Sequence, residues 1–206
     1  MHPPRNLRSQ AREIRILLLL VFSAHEANKL AYEMGREFQM THQRSDALDL
    51  AMGAVAGAIG VWVMDRVGWS MYRREDPTAF QREHEARSER RDVAHAAVKK
   101  AADLTGAPLP TREPSGAGIA VHYALGILPG ALYAAARRKY PALTAGHGTL
   151  YGFGLFVLMD EITAPALGLA SGPAKYPWQA HARGLVSHLV LGIVTETVLG
   201  AFRRIR

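Results

Sequence analysis

The chain has 206 residues, no cysteine and a formal net charge of +7, so disulfides and thiol chemistry are excluded. The basic balance suits an anionic membrane surface or a nucleic acid. Mean hydropathy is −0.04, ordinary for a soluble protein, but it averages a polar third with four strongly apolar blocks.

Residues 1–15 are polar and basic, with Pro3, Pro4, Arg5, Arg8, Arg12 and Arg15, the composition of a poorly ordered terminus. Ile16 to Phe22 is a short apolar run resembling a signal-peptide core, yet it is too short to span, and bulky Phe22 fits a small-residue cleavage site poorly. Leu18, Val21, Phe22, Ala24, Leu30, Ala31 and Met34 interleave with Glu26, Lys29, Glu33 and Arg36. That alternation predicts an amphipathic helix on the membrane surface within a basic N-terminal segment, 1–44.

Residues 45–206 read as a four-helix transmembrane bundle. The apolar blocks cover about 48–65, 117–136, 148–170 and 185–202, each near the roughly 20 residues that cross a bilayer. They are rich in Gly, Ala, Leu and Val and are apolar all round. The rival is a soluble bundle with buried apolar helices, which would leave so small a domain little amphipathic surface. The first block is expected to start at an N-cap, Ser45 or Asp46. Trp62, Trp69 and Tyr72 suit the headgroup level near its end.

Residues 73–115 carry charges of both signs and few large apolar residues, so a solvated polar loop is expected. Within it, Asp92 to Thr105 predicts a helix capped by Asp92 and stopped by Gly106. Val93, Ala97, Ala101 and Leu104 form a weak stripe that would lean on the membrane or the bundle. The second block carries Pro129, which predicts a kink. A basic turn, Arg137 to Pro141, leads to the third block, which dissolves into Leu167–Pro173. An aromatic and polar connector, Tyr176–Gly184, precedes the last block, which ends in Arg203, Arg204 and Arg206.

The blocks repeat. Gly53-Ala-Val-Ala-Gly57 runs to Asp65, and 95 residues later Gly148-Thr-Leu-Tyr-Gly152 runs to Asp160. Next comes His122-Tyr-Ala-Leu-Gly126 after the first copy and His188-Leu-Val-Leu-Gly192 after the second. The expected fold is therefore an all-α membrane protein with four transmembrane helices from a tandem duplicated two-helix unit, plus the N-terminal interfacial helix and the polar helical loop. The GxxxG glycines predict tight helix packing, within the bundle or between protomers. They lie about 120° and 80° around the helix from the aspartate, so one face packs while its neighbour presents the acid.

In an up-down bundle Asp65, His122, Asp160 and His188 share one membrane side, joined by Glu161, His181 and Arg183. The short basic turn and tail favour the opposite side as cytoplasmic, with both termini there. On the last block His188, Gly192, Glu196 and Gly200 form one stripe. Glu196 lies about 12 Å deeper than His188 and is expected to stand alone near mid-bilayer, protonated, accepting from a buried donor, or relaying protons.

Three readings suit the Asp/His cluster: two interhelical hydrogen-bonded pairs serving as glue, a proton-handling or ligand site, or a divalent-metal site of two histidines and two carboxylates. No HExxH, P-loop, GxSxG or dinucleotide fingerprint is present, so catalysis lacks sequence support and no cofactor is expected. The basic charge lies along loops and span ends without an aromatic nucleic-acid motif, so the lipid bilayer, not nucleic acid, is the expected partner.

Val63-Met64-Asp65 with Tyr72-Arg73-Arg74-Glu75-Asp76-Pro77, His122-Tyr123-Ala124-Leu125-Gly126, Asp160-Glu161 with Pro165, and Tyr176-Pro177-Trp178 with His181-Ala182-Arg183-Gly184 resemble the YagU-like (DUF1440) inner-membrane proteins of bacteria. The likeness spans roughly residues 45–203 and leaves the N-terminal segment outside. It implies a multi-pass bacterial inner-membrane protein and carries over no catalytic residue. The expected role is non-enzymatic: a small proton-linked or ligand-binding membrane protein. The alternatives are an accessory subunit docking to a membrane complex or to its own copies through glycine faces, and, more weakly, a membrane metalloenzyme.

Overall fold

The computed structural model describes the backbone of residues 7–109 and 112–205 and most side chains between 46 and 204. Contacts divide the chain into two units, Met1–Ala47 and Leu48–Arg206. In the first unit helix α1 (Leu7–Tyr72) begins; the interfacial face expected of residues 16–36 rests largely on side chains outside those described. Helix α1 passes through Ser45 and Asp46 without a break. Neither residue is an N-cap, because the backbone on both sides is already helical.

Among the described residues all regular secondary structure in the second unit is helical. The end of α1 is followed by α2 (Pro77–Ala86), α3 (Val93–Thr105), α4 (Gly116–Lys139), α5 (Thr149–Leu155), a π-helical stretch (Phe156–Thr163), α6 (Ala164–Ala166) and α7 (Trp178–Ile205). Four helical segments are long and apolar enough to cross a membrane: Asp46–Tyr72, Gly116–Lys139, Pro141–Ala166 and Trp178–Arg204. Their outer faces expose Trp62, Leu125, Leu128, Leu132, Leu158 and Ile162, as lipid-facing helices do. Pro129 lies inside α4, where it leaves one backbone carbonyl without its helical donor.

The spans approach one another through glycines. A Cβ on Gly53 would lie 2.4 Å from the Gly130 carbonyl oxygen, and one on Gly57 would lie 2.5 Å from that of Gly126. In the second hairpin a Cβ on Gly152 would lie 2.2 Å from the His188 carbonyl oxygen, and one on Gly192 would lie 2.2 Å from that of Gly148. These neighbours are backbone atoms that cannot rotate away. Gly148 is doubly constrained, because it caps α5 at φ 90°, a conformation that disfavours side chains. All six glycines singled out in the sequence therefore pack within one chain.

Two apolar layers fill the bundle. One gathers Ala56, Tyr133, Ala134 and Leu199. The other gathers Val61, Leu155 and Leu191. Tyr151 packs against both.

The polar segment 73–115 is folded, contrary to a solvated loop. Asp76 caps α2 by accepting from Thr78 N at 2.6 Å and Ala79 N at 3.3 Å, with Pro77 in the first turn. The Thr78 N–H is the main cause holding the Asp76 carboxyl below its usual range. Helix α3 is capped by Asp92, which accepts from His95 N at 3.0 Å, and stopped by Gly106 at φ 70°. Its buried face is Ala94, His95, Ala96 and Ala102, whereas Leu104 of the expected stripe is 79% exposed. A polar anchor explains the rotation. The Ser115 N–H donates to His95 Nε2 at 3.0 Å, and the ring Nδ1–H faces the Asp92 carboxylate at 2.8 Å.

Gly57→Ala and Gly152→Ala each destabilise the protein by about 1–3 kcal/mol in detergent thermal unfolding. Gly154→Ala, where a Cβ meets nothing within 4 Å, is neutral or raises the midpoint slightly. For Asp92, burial opposes ionisation, but hydrogen bonds from the His95 backbone and ring outweigh it and hold the carboxyl below its usual range. A depressed folded value means that its contribution is complete above the unfolded value of about 3.9 and disappears as pH falls through the folded one. Hydrogen exchange at the His95 amide, which donates to the Asp92 carboxylate, should accelerate over that acid window, and Asp92→Asn should abolish the step.

Candidate functional site: paired acids and histidines at one end of the bundle

Each hairpin joins an aspartate to a histidine across its two helices. In the first, His122 Nε2 on α4 lies 2.8 Å from Asp65 Oδ1 on α1. In the second, His188 Nδ1 on α7 lies 3.5 Å from Asp160 Oδ2 in the π-helical stretch. The pairs occupy matching places: Asp65 follows Gly57 as Asp160 follows Gly152, and His122 precedes Gly126 as His188 precedes Gly192. The glycine contacts draw the helix axes close enough for short side chains to meet.

The second pair is looser for two reasons. His188 Nδ1–H donates to the Gly184 carbonyl at 2.9 Å, which leaves Asp160 at ion-pair distance. The backbone around Asp160 is π-helical, with the Ala164 N–H bonded to the Met159 carbonyl. Pro165, next in the chain, has no N–H to offer the preceding turn. Such wide turns recur at functional positions, and no sequence feature considered above pointed to this one.

The remaining acids and bases at this end form separate pairs. Glu161 Oε1 accepts from His181 Nδ1 at 2.7 Å, while His181 Nε2 lies 3.1 Å from the Pro173 carbonyl oxygen. Arg183 bonds to Glu75 and, at 2.5 Å, to Glu83 of α2. Glu83 also takes Arg87 at 2.8 Å. The Arg183 guanidinium stacks 4.7 Å from the centre of the Tyr72 ring. This four-charge network ties α2 to the end of α1 and the start of α7. Glu75, Glu83 and Arg87 were not among the residues expected at the site; only Arg183 was. Among the described residues no group of three or more His, Asp or Glu is arranged to hold a metal ion.

Glu196 lies apart, deeper in the bundle, and it accepts from a buried donor, one of the three arrangements expected of it. Its Oε2 accepts from Tyr133 Oη at 2.6 Å and its Oε1 from Arg137 Nη2 at 2.7 Å. Arg137 belongs to the last turn of α4 yet is buried, its side chain reaching back along the helix to the acid. This replaces the lone mid-bilayer glutamate with an ion pair between α4 and α7.

Fold and site together define a multi-pass α-helical membrane protein with acid–base pairs concentrated at one end of its bundle. Residues 109–197 match the model of the family described as "Protein of unknown function (DUF1440)". The match holds His122, Asp160, Glu161, His181, Arg183, His188 and Glu196, and leaves out α1 with Asp65, so it is shorter than the likeness over 45–203. No curated protein and no solved structure matches the chain.

Arg183→Met removes the cation from two carboxylates whose side chains are 10% and 6% exposed. Breaking a buried pair from one side costs about 3–5 kcal/mol. The expected result is a lower unfolding midpoint together with faster tryptic cleavage between α2 and α3.

Proposed function

We propose that this chain is a bacterial inner-membrane protein in which the two Asp–His pairs bind and release protons, alone or with a small ligand, at the non-cytoplasmic end of the bundle. The observation that carries this reading is the pairing of Asp65 with His122 and of Asp160 with His188. An ionisable pair within a span is costly to keep for packing alone, and this one occurs twice at matching positions. The match in glycine register supports an origin by duplication of a two-helix unit.

The pairs differ in a way that suits proton exchange. The first lies at hydrogen-bond distance, 2.8 Å. The second, at 3.5 Å with its histidine also bonded to a carbonyl, is free to tighten when charged. The proposed role is non-enzymatic. Both termini are assigned to the cytoplasm, because Arg137, Arg138 and Lys139 with Arg203 and Arg204 cluster at the ends away from the acid–histidine pairs.

Docking as an accessory subunit has less support. The glycine faces that would receive a partner are occupied inside the molecule, with Gly53 and Gly57 against Gly126 and Gly130, and Gly148 and Gly152 against Gly192.

The test is infrared difference spectroscopy of the full chain in lipid during a pH titration, beside native mass measurement in mild detergent. The wild-type titration should contain carboxylic-acid and imidazole changes that are missing in Asp65→Asn with Asp160→Asn, beyond the loss of two ordinary carboxyls; any co-purifying small ligand should be lost with them. Identical titrations in both proteins, with only the unfolding midpoint lowered, would reduce the pairs to helix glue.

A further inference from the structure

Between the acid–histidine pairs and the buried Glu196 the bundle holds two hydroxyls with no partner. Thr195 is 0% exposed, and its Oγ1 makes no hydrogen bond. It faces Gly60 of α1, where a Cβ would lie 2.7 Å from that oxygen. The Tyr151 hydroxyl is likewise buried and unpartnered. Its ring stacks on Tyr133 at 4.1 Å between centroids and 15° between planes, and Tyr133 bonds to Glu196. Buried hydroxyls are almost always satisfied, by water where protein offers nothing.

The polar groups fall into an ordered sequence along the helices. Asp65, His122, Asp160 and His188 stand at one end, with Glu161 and His181 beside them. One helical turn inward come Val61, Leu155 and Leu191, which pack together. Another turn along α5 and α7 come Tyr151 and Thr195, then Glu196 with Tyr133 and Arg137. A single apolar layer thus separates two polar regions.

We infer that the bundle interior is a gated proton path, in which Glu196, Thr195 and Tyr151 form a hydrated inner station and Val61, Leu155 and Leu191 form the closed gate. This rests on the reading of the Asp–His pairs as a proton site and gives that site its route. When the apolar layer wets, a proton entering at Asp160 or Asp65 passes along water and hydroxyl oxygens to the Glu196 carboxylate, each oxygen accepting one proton and giving up another. Departure of a proton from Glu196 toward the Arg137 end restores the starting state. Hydrophobic constrictions gate by excluding water in this manner.

The experiment is proton flux into liposomes containing the full chain and a pH-sensitive dye, driven by a potassium diffusion potential. Leu155→Ser with Leu191→Ser should raise flux by about tenfold or more, about 1.4 kcal/mol of barrier. Adding Thr195→Val and Tyr151→Phe should return it to the wild-type level, and chloride flux should stay unchanged throughout. Unaltered proton flux in folded gate variants would overturn the path, as would a leak that also passes chloride or ignores the hydroxyl substitutions. Thr195→Val alone supplies a check independent of the gate: a higher unfolding midpoint would mean a dry, unsatisfied hydroxyl and would also overturn it. The infrared titration separates the two levels. Normal titration with no gated flux removes only the path; gated flux with no Asp titration removes only the Asp–His reading.

Discussion

Close approach of helix backbones is the constraint on which the rest of this molecule depends. Where Gly57 meets Gly126, and where Gly152 meets Gly192, no side chain separates the helices, so short side chains a few residues away reach across the gap. Aspartate and histidine could not pair at 2.8 Å between α1 and α4 if leucines held those helices at an ordinary separation. The same approach leaves the bundle interior narrow, and Val61, Leu155 and Leu191 form one layer in it with Met64, Tyr123, Tyr151 and Met159 packed around them.

Electrostatics is organised by depth. At one end, charges meet across both hairpins and the folded segment above them, where α2 brings Glu83 to Arg183. At the other end, Arg137 reaches Glu196 and Arg138 reaches Asp49 at 2.6 Å. Between these lie hydroxyls and apolar side chains. An ion pair in a low-dielectric interior is worthwhile only when its hydrogen bonds are complete; Glu196 meets that condition with one donor on each oxygen.

The helical architecture was legible because span length, all-round apolarity and glycine spacing are local properties. So was the cap of α3, since Asp92 and Gly106 bracket it in sequence. The cap of α2 was equally local: Asp76 followed by Pro77 is a helix-start signal, obscured by the surrounding charge. Other features could not be read locally. Arg183 finds Glu75 108 residues away, and Glu196 finds Arg137 59 residues away; both contacts cross from one hairpin to the other. Apolar periodicity misplaced the buried face of α3 because one histidine, bonded to Asp92 and Ser115, outweighed the stripe of Val93, Ala97, Ala101 and Leu104.

The Glu196 pair also bears on how such a chain is made. Tyr133 and Arg137 belong to the second span, and their acid partner belongs to the last. During synthesis the cation therefore waits at the rim of the membrane through the insertion of an entire intervening span. Charge neutralisation arrives with the final helix, so the closing step of assembly fastens the two hairpins together, and a chain cut short after the third span would be left with an unanswered arginine for quality control to find.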